Sequence, residues 1–331
     1  MIFHPAILAL CASSVLIGFM VLYSAFYGVQ ILRGWDIESG SEQQLILERK
    51  TYLVSTLLTY LLGFELLSLF LYVFTADQLH PFFVGAMCAA GTLYVNGYGY
   101  PTLLLKVANF LLAGLWLILN HADNQGYDYP LIKKKYGLLL FLAPLILAEA
   151  FLQANYFFRL KPDIITSCCG SLFSKGTDTL TSEVSLLPIR PMEAIFFLAM
   201  TATLFSGVVF LWKRRGGSLF SILSGATLIV SLASVLSFVS VYLYELPTHH
   251  CPFCLLQGEY GCIGYPLYLA LLGGTVSGMG VGILMPFQGI RSLSRAIPSI
   301  QRRLALLSVV LFLLFTAIVT YTILFSNYKL E

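Results

Sequence analysis

The 331 residues are 58% hydrophobic and only 11% charged, against about 25% charged residues in an ordinary soluble domain, which excludes a soluble globular fold. The net charge of +3 is spread over short basic clusters and forms no single patch of the kind that binds nucleic acid. The apolar residues run in blocks of the roughly 20 residues that a helix needs to cross about 30 Å of hydrocarbon, without the alternation of a membrane barrel. The fold class that follows is all-α: a polytopic transmembrane helix bundle of about eight spans, organised as one transmembrane domain over residues 1–331.

In chain order, the first span is expected at 4–32. No basic residue precedes it, so it reads as an uncleaved helix and not as a signal peptide. The connection from Gly34 to Glu48 reads either as a short helix on the membrane surface or as a solvated linker. The second span, 51–76, carries Glu65. The apolar block 81–96, with Cys88, is too short to cross and is closed by the turn-rich Asn96-Gly97-Tyr98-Gly99-Tyr100-Pro101, so it is expected to be re-entrant or interfacial. The third span, 103–120, starts near Lys106, whose side chain is expected to snorkel to the interface. The fourth, 136–158, carries Glu149. Spans at 191–212, 219–245, 263–288 and 304–327 complete the set.

Basic residues set the orientation. Arg33, Arg49 and Lys50, then Lys133, Lys134 and Lys135, then Lys213, Arg214 and Arg215, and finally Arg291, Arg295, Arg302 and Arg303 flank alternate connections. The positive-inside rule places these four in the cytoplasm. Alternation then puts both termini and the loops near 77–102, 159–190 and 246–262 on the outward side of what is expected to be a bacterial inner (plasma) membrane, with lipid as the main partner.

Those loops hold Cys88, the adjacent Cys168-Cys169, Cys251, Cys254 and Cys262. An outer compartment is oxidising and permits disulfides, whereas cytosolic thiols stay reduced. The most informative motif is His249-His250-Cys251-Pro252-Phe253-Cys254, expected directly before the seventh helix. A helix N-terminus there would favour thiolate. Adjacent cysteines such as Cys168 and Cys169 form a strained, easily reduced disulfide suited to a shuttle.

Cys251-Pro-Phe-Cys254-Leu-Leu-Gln257, followed by Tyr265-Pro266-Leu267-Tyr268, resembles the CxxCxxQ and Tyr-Pro segment of the DsbB/BdbC disulfide-forming membrane proteins. An upstream outward cysteine pair followed by a CxxC also resembles the vitamin K epoxide reductase family. The resemblance implies a membrane thiol–disulfide oxidoreductase in which Cys251 and Cys254 exchange with Cys168 and Cys169 or with Cys88. It further implies a quinone as electron carrier near Gln257 and Tyr265, and an extracytoplasmic thioredoxin-like partner. It covers about a tenth of the chain; those families have about half as many helices, and Gly258 stands where they commonly carry a basic residue.

Two other readings stay open at this point. His249, His250, Cys251, Cys254 and Cys262 offer ligand types that suit zinc or copper, with Glu65 and Glu149 on an ion path through the bundle. Alternatively the cysteines staple the outward loops of an anchor subunit in a larger respiratory or assembly complex. Glu65 and Glu149 require a bundle interior, because an isolated charge in hydrocarbon costs at least about 2.5–3.5 kcal/mol.

Overall fold

The computed structural model describes residues 4–37, 39–161, 165–166 and 187–327. It is predominantly helical, with no strand among the described residues. The elements are α1 (Pro5–Gly34), α2 (Glu42–Gln78), the short α3 (Ala89–Tyr94), α4 (Gly99–Asp123), α5 (Ile132–Phe158), α6 (Ile189–Lys213), α7 (Gly217–Ser234), α8 (Ser240–Tyr244), α9 (Gly264–Ile283) and α10 (Ala296–Phe325). Val235–Val239 is a π turn that joins α7 to α8.

Eight of the described helices are long and apolar enough to cross a membrane, α7 to α8 counting as one. Helices are the form that satisfies every backbone donor and acceptor within the segment when no water is at hand. Their outward faces are apolar, with Phe19, Phe205, Ile222 and Leu324 largely exposed. Such surface is covered by lipid, and the chain is an integral membrane protein.

The chain divides into two compact units. Unit 1 comprises residues 1–75, 96–160 and 286–300, and unit 2 residues 76–95, 161–285 and 301–331. In unit 1, α5 packs against both α1 and α4. Its core joins Ile17, Val21 and Ile31 of α1 to Leu58 and Leu62 of α2, Trp116 of α4, and Tyr136, Leu139 and Ile146 of α5.

Unit 2 is built on close helix contact. Gly274, Gly278 and Gly282 line one face of α9 at four-residue intervals, a small-residue stripe that lets membrane helices approach closely. A Cβ at Gly278 would collide with the Ser224 side chain of α7, and one at Gly282 with Ser221. Ser308 Oγ of α10 donates to the Gly274 carbonyl at 2.7 Å. Backbone proximity and hydroxyls act here beside an aromatic core that includes Phe196, Phe220, Phe238 and Phe315.

The structure corrects two boundaries. Residues 42–50 are the first turns of α2 and form neither a separate surface helix nor a linker. The helix after the 96–101 turn begins at Gly99, ahead of the expected 103, with Pro101 in its first turn where a missing N–H costs nothing. The seventh span begins at Gly264, beside the expected 263 but ten residues after Cys254, so the CxxC does not stand on a helix N-terminus and draws no help from one.

A candidate three-cysteine centre

The site in unit 2 is assembled from two loops. One is the turn that precedes α3. Cys88 stands at its N-cap in extended conformation, and Gly85 just before it has φ +90°, in a position where a Cβ would run into the Thr166 carbonyl. Thr166 secures this turn, its N–H donating to the Val84 carbonyl at 2.9 Å and its hydroxyl to the Gly91 carbonyl at 2.8 Å.

The other loop carries the CxxC. Cys254–Leu256 forms a single 3-10 turn, and Gly258–Tyr260 forms another. Tyr244 Oη donates to the Cys251 carbonyl and Tyr268 Oη to the Pro252 carbonyl, each at 2.7 Å. Pro252 fixes φ, and the two tyrosines pin the carbonyls on either side of its nitrogen. The motif is therefore held rigid without a helix.

A polar tie joins the loops. Asp77 Oδ1 accepts from the Ala89 N–H and from Gln257 Nε2, both at 3.2 Å. Gln257 Nε2 also donates to the Met87 carbonyl at 2.9 Å. The glutamine of the CxxCxxQ segment thus holds the CxxC loop against the residues flanking Cys88.

These restraints bring Cys88 and Cys251, 163 residues apart, to an Sγ–Sγ distance of 3.5 Å. With Cys254 they form a trio whose sulfur atoms all lie within 4.8 Å of one another. All three are buried. The separation of Cys88 and Cys251 exceeds the 2.05 Å or so of a disulfide, yet matches the ~3–3.5 Å at which reacting atoms are poised for attack.

Two histidines border the cluster. His250 Nδ1 lies 2.9 Å from the Leu236 carbonyl inside the π turn. A carbonyl only accepts, so Nδ1 carries a proton. The π turn has a role here, since it opens the helical ladder where His250 docks. His249 stacks edge-on to Tyr244 with ring centroids 4.5 Å apart, and its buried Nε2 has no hydrogen-bond partner. Burial holds the His249 imidazole below its ordinary value, and His250 adds to this, while a thiolate at Cys88 acts the other way.

Other expected site residues fall elsewhere. Cys262 is exposed, at φ +54°, and is not part of the sulfur cluster. Tyr265 is half-buried in the first turn of α9. Cys168 and Cys169 lie outside the described residues.

Glu65 and Glu149 lie in the interior of unit 1, and the expected snorkelling of Lys106 does not occur. Lys106 is 1% exposed and pairs with Glu149, Nζ to Oε1 at 2.6 Å. With α4 beginning at Gly99, the lysine lies two turns inside the helix, where a partner is obligatory. Sequence reasoning also missed the second such pair, Lys135 Nζ to Asp123 Oδ2 at 2.7 Å. Lys135 passed as one of three basic residues at a helix end. The signal that could have found it is the helical spacing that turns it away from Lys133 and Lys134.

No protein-family model, curated protein or solved structure matches the chain, so the site stands on its own geometry.

Proposed function

We propose that the protein is a membrane thiol–disulfide oxidoreductase whose exchange centre is Cys88, Cys251 and Cys254. The observation that carries this reading is the 3.5 Å approach of two buried sulfurs from loops 163 residues apart, with a third sulfur alongside. A trio permits a relay that a lone CxxC does not. Loss of two protons and two electrons from the Cys88 and Cys251 thiols forms their disulfide. The Cys254 thiolate then attacks Cys251 Sγ, forms the Cys251–Cys254 disulfide and releases Cys88 as thiolate.

The two electrons pass to a two-electron carrier, a quinone in the DsbB/BdbC and vitamin K epoxide reductase families that the motif resembles. His249, with its unpartnered Nε2, is the base that takes a thiol proton. Gln257 acts by positioning the two loops, since its amide is already engaged with Asp77 and Met87. In this reading the loops face outward from a bacterial inner membrane, both termini are outside, and the external partner is a thioredoxin-like dithiol protein.

A second reading has one specific observation in its favour. Three sulfurs within 4.8 Å suit a thiolate-bound metal, since ligands at about 2.3 Å from zinc lie about 3.8 Å apart. Against a closed zinc site, no fourth His, Cys, Asp or Glu atom among the described residues joins them at that range. Three thiolates alone fit Cu(I) better.

The experiment is turnover of a reduced thioredoxin-like protein with quinone by the full chain in detergent, with metal analysis on the same sample. Cys251→Ser and Cys254→Ser are each expected to abolish turnover. Full activity in both variants overturns the proposal. Stoichiometric zinc or copper that is lost in Cys88→Ser, with no thiol turnover, establishes the metal reading instead.

A further inference from the structure

Unit 1 contains a second cluster that thiol chemistry does not use. Glu65 of α2, Lys106 of α4 and Glu149 of α5 are all buried within spanning helices. Lys106 Nζ donates to Glu149 Oε1 at 2.6 Å and to Ser68 Oγ at 2.9 Å, and Asn109 Nδ2 donates to Glu149 Oε2 at 2.5 Å. Both oxygens of Glu149 therefore accept charged or amide donors, as an ionised carboxylate does.

Glu65 completes the arithmetic. Ser68, one turn on, donates to the Glu65 carbonyl at 2.8 Å and accepts from Lys106, which places Glu65 at the edge of the cluster. Lys106 is committed to Glu149, so an ionised Glu65 buried in the same span would have no counter-charge, and its carboxyl is held in the neutral, protonated form. One ammonium, one carboxylate and one carboxylic acid sum to zero, the only balance that avoids a net charge in the membrane interior.

A metal cation would have to displace this proton beside the Lys106 ammonium, which repels it. The next titratable groups are Tyr72 of α2, whose ring centroid lies 5.6 Å from Lys106 Nζ, and Tyr156 of α5, 5.6 Å from Tyr72 by ring centroids. Neither supplies a further charge. A separate observation concerns Asn109, which is fully buried and whose Oδ1 accepts no hydrogen bond. An orphan acceptor on the side chain that holds Glu149 is a place for an incoming proton donor.

We propose that Glu65, Glu149, Lys106 and Asn109 form an intramembrane proton-binding site, in which Glu65 takes up and releases one proton while Lys106 and Asn109 hold Glu149 ionised. The ligand is the proton itself, delivered through a hydroxyl or water donor to the Asn109 side. The site is independent of the cysteine centre.

Infrared spectroscopy of the full chain in lipid at neutral pH reads it directly. The wild type is expected to show one carboxylic-acid carbonyl band that shifts in D2O within minutes and is missing from Glu65→Gln, a neutral, near-isosteric change. Glu149→Gln is also expected to lose the band, because Glu65 then inherits Lys106 and ionises. An unchanged band in Glu65→Gln overturns the assignment. A band that does not shift in D2O over hours overturns the exchange, and this arm needs no variant. A band abolished by sodium chloride but not by choline chloride overturns the proton in favour of a metal cation.

Discussion

The two units hold their centres by opposite means. Unit 1 keeps buried charge, two lysine–carboxylate pairs at 2.6 and 2.7 Å packed among aromatic and aliphatic side chains. Unit 2 keeps buried sulfur, three cysteines packed beside helices that touch through glycine and serine. Charge inside a membrane demands a partner whatever else the site does, so each member of a pair is constrained by the other. Thiols are nearly apolar and make no such demand. Their gathering at 3.5 Å therefore owes nothing to neutralising charge, and the ties around it are the observation that needs a functional account.

The largest effect expected from this contrast is in unit 1. Asp123→Ala leaves Lys135 buried with no counter-charge and also removes the acceptor of the Leu131 N–H. It should cost about 3–5 kcal/mol in denaturant unfolding in detergent. Cys88→Ala, by contrast, removes one nearly apolar sulfur and should change the same measurement by about 1 kcal/mol, the scale of one buried methylene. If the two variants lose equal stability, the contrast between the units is broken.

Next is the packing of unit 2. Gly278→Ala drives a methyl group into Ser224 across the α7–α9 contact and is expected to cost about 1–3 kcal/mol. The double change Gly278→Ala with Ser224→Gly should recover most of the loss, since it returns the space to the other helix. A smaller effect is expected at the tie between the loops. Gln257→Ala removes the donor to Asp77 and Met87 at about 1 kcal/mol, and it should slow formation of the Cys88–Cys251 bond more than it lowers the melting temperature.

The smallest effect is the pH dependence set by His249. Its imidazole is held below the ordinary value by burial, so the unfolded chain binds a proton at a higher pH than the folded one. Stability rises with pH wherever the unfolded state binds more protons. The His249 contribution is therefore complete above the ordinary imidazole range, near 6.5, and falls away as the pH drops below it. Thermal unfolding should weaken between neutral pH and about pH 5, and His249→Asn should flatten that slope.

The helices and their approximate limits were legible in the sequence because hydrocarbon permits so few structures. Glu65 and Glu149 could be placed inside the bundle on cost alone. Lys106 could not, because the glycine- and proline-rich stretch at 96–101 hides the start of α4 and moves the expected helix end toward the lysine. The reactivity of the CxxC was sought in a helix dipole that is absent, since the 3-10 turns after Cys254 resemble a helix start in composition but not in geometry. Cys88 was one of several candidate partners. Nothing in its spacing selects it, because the selection is made by Asp77, Gln257 and Thr166, polar residues whose partners are distant in the chain.

The central claim is that Cys88, Cys251 and Cys254 exchange disulfides with one another. Acid-quenched alkylation of the full chain in intact membranes, followed by mass-spectrometric mapping of the cysteines, tests it most directly. The expected result is a mixture of Cys88–Cys251 and Cys251–Cys254 disulfides whose ratio changes with the redox state of the membrane, collapsing to free Cys88 and Cys254 in Cys251→Ser. Three thiols that stay reduced under oxidising conditions, or one fixed pairing that no treatment alters, would contradict it.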